Sequence, residues 1–247
     1  MIGICDSGVG GLIVYQKLKA VLPNAPYIYL ADQAYAPYGE RTQAEIVERM
    51  KRVVRFLVDA GAEMIVIACN TATLNAIDEL RLSFPDTQLV GMEPAIKPAA
   101  AVANKIIVLG TNSTVHNVRY QGLVDKYAQG KTVWNIGAPE LVRQVEAGEL
   151  DRIDLLQEKI QPLVDQGAEA LVIGCSHFSF LIPAIQKRWP QLQIFDGADG
   201  VVRRAVELRS TSLIMDIGQP DEKFVTTGSV RTISFLPTSV TFHTVVL

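Results

Sequence analysis

The chain has 247 residues, of which 49% are hydrophobic and 20% are charged, so it is long enough for one large or two smaller globular domains. Its net charge of −3 argues against nucleic-acid binding as the main function, because such proteins carry a surplus of basic residues that neutralise phosphates. No apolar run approaches the roughly 20 residues that cross a bilayer, and the N-terminal residues show no signal-peptide pattern, so we expect a cytoplasmic protein without membrane contact.

Strand patterns alternate with helix patterns along the first part of the chain. The clearest helix covers residues 42–60, where apolar residues share one side and Thr42 and Glu45 form a capping-box pair at the start. The predicted strands are residues 2–5, 27–31, 64–68 and 90–92, and the other predicted helices are residues 11–22, 73–83 and 94–103.

The same alternation begins again after residue 104. The predicted strands are residues 105–109, 133–136, 170–173 and 194–195, and the predicted helices are residues 114–127, 139–147, 153–166, 180–188 and 200–209. Two β-rich pieces, residues 224–226 and 240–247, follow, and we expect them to return to the first half. The alternation predicts an α/β fold with mostly parallel sheets and helices on both faces.

One segment occurs twice. Residues 61–69 read Gly-Ala-Glu-Met-Ile-Val-Ile-Ala-Cys, and residues 167–175 read Gly-Ala-Glu-Ala-Leu-Val-Ile-Gly-Cys. The repeat predicts two pseudo-symmetric, three-layer α/β domains, the first formed by residues 1–95 with 211–247 and the second by residues 96–210. It also predicts two thiols that face each other across a site in the cleft between the domains, where they act on both faces of one carbon.

Four polar segments follow predicted strands, and each precedes a helix: residues 6–8, 69–71, 111–114 and 175–177. Ligands of open parallel sheets bind at the carboxyl ends of the strands, and the N–H groups at a helix start favour anions such as a carboxylate. Cys69 and Cys175 are therefore candidate catalytic thiols, although a cysteine that ends an apolar strand is often a plain core residue. Cys5 has no counterpart in the repeat, and we interpret it as core.

The other polar residues of these segments leave two interpretations open. Asp6 either caps the first helix or acts as an acid or base beside the first thiol. His177 is either a packed polar residue or a partner that activates Cys175. The loop at residues 8–11 lacks the third glycine of a dinucleotide fingerprint, so it is a tight turn that approaches a small anion or a purely structural one. Residues 37–39 form either a plain turn or a loop that closes over a ligand.

The sequence indicates neither a metal nor a cofactor. Three cysteines in a cytosolic chain are expected to stay reduced, and a single Cys-x-His at residues 175–177 is too little for a zinc site. No lysine stands at the four strand ends, so a pyridoxal cofactor is not indicated.

Motifs along nearly the whole chain point to one family. They are Asp-Ser-Gly-Val-Gly-Gly-Leu at residues 6–12, Pro-Tyr-Gly at 37–39, Ala-Cys-Asn-Thr-Ala at 68–72, Gly-Met-Glu-Pro-Ala at 91–95, Leu-Gly-Thr at 109–111, the stretch at 141–148 and Thr-Thr-Gly at 226–228. This set resembles the motifs of glutamate racemases in the cofactor-independent aspartate/glutamate racemase family. One motif departs, because Ser176-His177-Phe178-Ser179 stands where the family usually has Thr-His-Tyr-Pro.

The resemblance implies an enzyme that interconverts L- and D-glutamate without a cofactor and supplies D-glutamate for peptidoglycan. It implies that Cys69 acts on one enantiomer and Cys175 on the other, with Asp6 serving Cys69, His177 serving Cys175 and Glu146 as a weaker helper. The implied substrate contacts are Asp6, Ser7, Pro37, Tyr38, Gly39, Asn70, Thr71, Thr111, Ser113, Thr114, Ser176 and His177.

Two other functions stay open at this point. A related two-cysteine enzyme would use the same thiols on aspartate or another dicarboxylate. A non-catalytic amino-acid-binding protein on the same scaffold is supported only by the altered residues 178–180. Family members are often dimers, so a homodimer is expected.

Overall fold

The computed structural model describes residues 1–211, 221–229, 231–233 and 240–247. The chain divides into two compact units: Met1–Met92 with Ala198–Leu247, and Glu93–Gly197. The helix predicted at residues 200–209 belongs to the first unit in this division, whereas the domain bounds expected from the sequence put it in the second domain.

The elements follow the predicted alternation of strands and helices. The described strands are β1 (Ile2–Asp6), β2 (Tyr27–Ala31), β3 (Met64–Ile67), β4 (Gln88–Gly91), β5 (Lys105–Gly110), β6 (Thr132–Gly137), β7 (Ala170–Gly174), β8 (Gln193–Asp196), β9 (Glu222–Thr226), β10 (Arg231–Ile233) and β11 (Val240–Thr244). The described helices are α1 (Leu12–Val21), α2 (Gln43–Asp59), α3 (Asn70–Ser83), α4 (Ile96–Val102), α5 (Asn112–Val115), α6 (Val118–Tyr127), α7 (Glu140–Glu146), α8 (Asp154–Asp165), α9 (Ile182–Arg188) and α10 (Gly197–Thr211).

Each unit contains one sheet, and the two sheets share a strand order. The first unit orders its strands β10-β11-β9-β2-β1-β3-β4, and the second orders them β6-β5-β7-β8. Strands β2-β1-β3-β4 and β6-β5-β7-β8 are each arranged as second, first, third and fourth along their unit, and all these neighbours are parallel. The α/β fold with mostly parallel sheets is therefore confirmed.

The repeated segment has the same backbone in both units. Helices α2 and α8 are followed by Gly61 and Gly167, whose φ angles are 93° and 87°. The N–H of Gly61 donates to the Val58 carbonyl, and that of Gly167 donates to the Val164 carbonyl. A left-handed glycine closes each helix because a side chain there would strain the backbone. The next residues then enter β3 or β7.

A core of the first unit forms between its sheet and the helices α2 and α3. Strands β1, β2 and β3 are buried along their whole length, as expected for a parallel sheet that helices cover on both faces. Helix α2 turns one apolar side to this core, formed by Ile46, Met50, Val53, Val54 and Leu57. Its predicted capping box is confirmed, because Thr42 accepts the Glu45 N–H and the Glu45 carboxylate accepts the Thr42 N–H.

Three helix predictions differ from the structure. The helix predicted at residues 114–127 is two helices, because the Asn117 side chain accepts the N–H groups of Arg119 and Tyr120 and starts α6 anew. Helix α3 begins at Asn70 rather than at residue 73. Helix α9 begins at Ile182 rather than at residue 180, after a 3₁₀ turn that was not predicted.

The C-terminal residues return to the first unit, as expected. Strand β9 pairs in parallel with β2, and β11 pairs in parallel with β9. Strand β10, which was not predicted, pairs with β11 in the antiparallel direction. Among the described residues, no helix has both the length and the apolar character needed to span a bilayer.

Candidate active site

Cys69 stands at the end of β3 and at the start of α3. Its sulfur takes the N-cap role, accepting the N–H of Ala72 at 3.5 Å, and its thiol lies 4.0 Å from the Ser7 hydroxyl. The side chain is buried. A sulfur at a helix N-terminus is favoured as a thiolate, because the helix dipole and the free N–H groups stabilise negative charge. We call Cys69, Ser7, Asp6 and Asn70 the Cys69 half-site.

Asp6 ends β1 and holds the glycine loop that follows. Its Oδ2 accepts the N–H of Gly8 at 3.4 Å and that of Gly11 at 3.0 Å. The interpretation of Asp6 as the cap of α1 is wrong, because the N-cap residue is Gly11 and it has no side-chain cap. The loop therefore binds the chain's own carboxylate. Gly11 is required here, since a Cβ would lie 2.8 Å from the Ala68 Cβ.

Asn70 and Thr71 lie buried in the first turn of α3. The Asn70 amide nitrogen donates to the Met92 carbonyl at 3.2 Å. Its carbonyl oxygen, Oδ1, is buried without a hydrogen-bond partner among the described residues. A buried acceptor left unpaired costs about 1–3 kcal/mol. Oδ1 is therefore a candidate acceptor for an N–H group of a ligand.

Residues 37–39 enter a short 3₁₀ turn, Tyr38–Glu40. Tyr38 is buried, and its hydroxyl donates to Oδ2 of Asp32 at 2.6 Å. Burial, together with the nearby Asp32 charge, raises the pKa of Tyr38 well above its ordinary value, so the phenol stays protonated. Pro37 and Gly39 are half-buried. The Tyr38 hydroxyl is thus engaged with Asp32, and the backbone of this turn is what it can offer a ligand.

In the second unit, Cys175 follows β7 and faces a histidine. Its Sγ lies 4.0 Å from Nδ1 of His177, and the Ser176 hydroxyl lies 3.5 Å from the same nitrogen. Nε2 of His177 lies 2.7 Å from Oε1 of Glu146. The His177 side chain is 2% exposed, and the Glu146 side chain is 23% exposed. We call Cys175, Ser176, His177 and Glu146 the Cys175 half-site.

This line of groups sets the proton positions on the His177 ring. With Glu146 ionised, the short contact places a hydrogen on Nε2, which leaves Nδ1 as an acceptor toward the thiol. The imidazole can then take the Cys175 proton and carry positive charge between a thiolate and a carboxylate. This is the arrangement of an activated cysteine with a base and an orienting group.

Gln144, which was not predicted as a site residue, holds the chain that follows α7. Gln144 is buried, and its amide donates to the Glu149 carbonyl at 2.7 Å and to the Arg152 carbonyl at 2.5 Å. Glu146 is the last residue of α7 and stands between Gln144 and Glu149 in the sequence. A carboxylate is disfavoured at a helix C-terminus, so a protonated His177 would stabilise it.

The remaining predicted contacts lie at the start of α5. Thr111 caps this helix by accepting the N–H of Thr114 at 3.1 Å, and its hydroxyl also donates to the Thr114 hydroxyl at 3.1 Å. Both threonines are buried, and Ser113 is half-buried. Ser176 is buried as well.

The structure thus groups the predicted residues by unit. In the first unit it brings Ser7 to Cys69, and in the second it joins Cys175, Ser176, His177 and Glu146. Cys5 is a core residue, as expected: its thiol lies 3.8 Å from the Val66 carbonyl, and burial raises its pKa far above the ordinary value. Asp32 was missed, although it directly follows β2 at the same sheet edge as Asp6.

Comparison with known proteins gives a consistent match. The sequence pattern of the family described as Asp/Glu/Hydantoin racemase matches residues 2–205. A protein named glutamate racemase from Pseudomonas aeruginosa (strain UCBPP-PA14) is 38% identical over 224 residues, which are 88% of this chain and 84% of that protein. One from Clostridium perfringens (strain ATCC 13124) is 40% identical over 208 residues, 82% of this chain and 80% of that protein.

A solved structure also matches over most of the chain. It is the Escherichia coli glutamate racemase in complex with L-glutamate and the activator UDP-MurNAc-ala, with a TM-score of 0.82 and 29% sequence identity. The match covers 92% of this chain and 88% of that one.

Proposed function

The chain belongs to the Asp/Glu/hydantoin racemase family, and we infer that it is a glutamate racemase, an isomerase that interconverts L- and D-glutamate. One observation carries the proposal: in each unit a buried cysteine stands at the carboxyl end of the equivalent strand, β3 or β7, beside groups that stabilise its charge. The three relatives described above are all named glutamate racemases.

We propose a mechanism in which two thiols share the proton transfer. Racemisation removes the α-proton from one face of the substrate and returns a proton to the other. One cysteine begins as a thiolate and takes the proton, while the other begins as a thiol and donates its own. After one turnover the two have exchanged states, so each serves one direction of the reaction.

His177 and Glu146 would prepare Cys175 for both roles. When Cys175 acts as base, His177 holds the thiol proton on Nδ1, and Glu146 stabilises the resulting cation through the 2.7 Å contact. When Cys175 acts as acid, His177 keeps its proton, Cys175 gives the thiol proton to the substrate carbanion, and the new thiolate lies beside the imidazolium. Each proton transfer to or from the substrate thereby changes the charge of Cys175 by one, and the imidazolium stabilises the thiolate whenever it is present.

Cys69 would be prepared by different groups. The Ala72 N–H and the start of α3 stabilise its thiolate, and Ser7 lies beside the sulfur. The role of Asp6 as its acid–base partner stays a prediction: the carboxylate ends the neighbouring strand and accepts the N–H groups of Gly8 and Gly11.

Substrate binding is proposed from the polar groups that surround these thiols. The unpaired Oδ1 of Asn70 would accept from the substrate ammonium. The substrate carboxylates would take donors from the list predicted by sequence: Ser7, Tyr38 and Gly39 through their backbone, Thr71, Thr111, Ser113, Thr114 and Ser176. Preorganised donors of this kind stabilise the carbanion, whose charge spreads onto the carboxylate. We further propose that the enzyme needs no cofactor and supplies D-glutamate for peptidoglycan. The homodimer and the cytoplasmic location stay predictions.

The test is a chiral assay with purified, dialysed protein in deuterated water. Starting from either pure enantiomer of glutamate, we expect the other enantiomer to accumulate with deuterium at Cα. Aspartate under the same conditions is the control for specificity and should react at least about 100-fold more slowly, because one methylene displaces its side-chain carboxylate. Faster exchange with aspartate would overturn the substrate assignment. Glutamate binding without exchange would show a non-catalytic protein.

A further inference from the structure

Asp32 carries a buried charge that neither half-site uses. Its side chain is fully buried at the end of β2. Its carboxylate accepts from Nε and Nη2 of Arg49 at 2.8 and 2.6 Å, from the Tyr38 hydroxyl at 2.6 Å and from the Thr227 hydroxyl at 2.7 Å. Four donors, two of them from a guanidinium, satisfy a charge that burial alone would make very unfavourable.

The donors come from three separate parts of the first unit. Tyr38 lies in the 3₁₀ turn, Arg49 on α2, and Thr227 in the residues that follow β9. Thr227 also accepts the N–H of Ala34 at 3.0 Å and donates its own N–H to the Ala31 carbonyl. We call residues 33–41 the 33–41 loop. The Thr227 hydroxyl thereby joins the end of β9 both to Asp32 and to the start of this loop.

Aromatic contacts join residues of the same loop to one another and to Arg49. The guanidinium carbons of Arg41 and Arg49 lie 4.6 and 5.2 Å from the centre of the Tyr35 ring. The Tyr35 and Tyr38 rings meet edge to face at 6.1 Å. The loop is therefore fixed at Ala34, Tyr35, Tyr38 and Arg41, although it has only one turn of regular structure.

We propose that Asp32, Arg49 and Thr227 are positioning residues that hold the 33–41 loop, and with it Pro37, Tyr38 and Gly39, in the conformation that binds substrate. The identity of that substrate rests on the proposed function, whereas the anchoring is a property of the first unit itself. The proposal gives a role to Thr227 of the Thr-Thr-Gly motif, which otherwise has no part in the reaction. It also explains why a buried tyrosine hydroxyl faces a carboxylate rather than a ligand.

The main test replaces Thr227 by valine and by serine. Thr227→Val keeps the shape but removes the donor to Asp32 and the acceptor for Ala34. We expect KM for both enantiomers to rise about 10-fold with kcat changed less than about 2-fold, because loop positioning affects binding rather than proton transfer. Thr227→Ser keeps both hydrogen bonds and should restore KM to within about 2-fold of the wild-type value.

Two further variants complete the comparison. Tyr15→Phe is the matched control, since it removes a tyrosine–carboxylate hydrogen bond of the same kind, 2.8 Å to Glu222, within the same unit. It should leave KM unchanged. Arg49→Lys replaces the two parallel bonds to Asp32 by a single point charge and should raise KM as Thr227→Val does. If the valine variant does not fold, the KM of Arg49→Lys still tests the proposal.

A measurement without turnover separates this inference from the proposed function. Hydrogen–deuterium exchange at the amides of residues 33–41 should be faster in Thr227→Val and Arg49→Lys than in the wild type, and unchanged in Tyr15→Phe and Thr227→Ser. Unchanged exchange in both network variants would overturn the anchoring. Faster exchange with unchanged KM, or a loss confined to kcat, would overturn the role in substrate binding. A wild type that does not racemise glutamate would end the proposed function, while the exchange result would still decide the anchoring.

Discussion

The two half-sites stand at the ends of the two copies of one repeated segment, yet different groups surround their thiols. Cys69 caps α3, so backbone N–H groups stabilise its charge, and Ser7 lies beside it. Cys175 precedes a 3₁₀ turn without any side-chain cap, and its sulfur faces His177, which Glu146 supports. The repeat fixes where each sulfur stands, whereas the residues after it decide what surrounds it.

This difference predicts unequal sensitivity to mutation. Backbone donors cannot be removed by a side-chain substitution, but an imidazole and a carboxylate can. Substitutions should therefore damage the Cys175 half-site more than the Cys69 half-site. Because L- and D-glutamate have equal free energies, kcat/KM must stay equal in the two directions. The asymmetry must therefore appear in kcat and KM separately, or in isotope effects.

The largest effect outside the cysteines is expected from His177→Asn. Loss of the group that takes the Cys175 proton should lower kcat/KM about 100-fold in both directions, as for other general bases. The isotope effect with α-deuterated substrate should rise only for the enantiomer from which Cys175 abstracts the proton. The exposed His243 provides the control, since His243→Asn should change neither quantity. Equal isotope effects for both enantiomers would refute a relay confined to Cys175.

Glu146→Gln should have a smaller effect of the same kind. An amide can still contact Nε2 but no longer stabilises the imidazolium by charge, so we expect kcat/KM to fall about 10-fold. Glu149→Gln is the matched control, because Glu149 follows three residues later and its carboxylate accepts from the exposed Arg152. A fall as large as that of His177→Asn would mean that Glu146 carries the proton itself.

Ser7→Ala tests the other half of the comparison. The thiol-to-hydroxyl contact of 4.0 Å is long and neutral, so its removal should lower kcat only about 3-fold, as for one weak hydrogen bond. Ser83→Ala, at the exposed end of α3, should have no effect. A loss of about 100-fold in kcat with Ser7→Ala would show that Cys69 depends on side chains as strongly as Cys175 does.

The glycines of the repeat should behave alike, unlike the cysteines. Gly61→Ala and Gly167→Ala each place a side chain at positive φ and should lower the free energy of unfolding by about 1–2 kcal/mol, with racemisation unchanged. Gly200→Ala on α10 and Gly122→Ala on α6 are helical controls in open space and should be neutral or stabilising. Chemical denaturation measures all four variants. A large difference between the two repeat glycines would contradict a shared backbone.

Regular structure was largely predictable from the sequence, because apolar periodicity and capping residues act locally. The strand at residues 27–31 and the capping box at Thr42 are examples. The predicted helix boundaries were wrong where a side chain caps a helix. Asn117 starts a new helix inside the predicted one, and Cys69 starts α3 before the predicted residue. A single sequence does not show which hydrogen bonds the side chains of Asn117 and Cys69 make.

The candidate site was predictable as residues but not as contacts. The strand ends indicated the two cysteines, Asp6 and His177, and the family resemblance added Glu146. Asp32 was missed because its four donors come from three parts of the chain that only the fold brings together. Tyr38 was expected among the substrate contacts, but the partner of its hydroxyl was not predictable: the hydroxyl donates to Asp32, whose buried carboxylate needs donors.

The central claim is that each unit supplies one thiol to the same racemisation. It is tested most directly by Cys69→Ser and Cys175→Ser, each alone, with the formation of the opposite enantiomer followed by chiral chromatography from pure D- and pure L-glutamate. We predict that each variant folds as the wild type does and loses about 1,000-fold or more in racemisation rate in both directions, because a hydroxyl is a far weaker acid than a thiol. Full racemisation in both directions by either single variant would contradict the account.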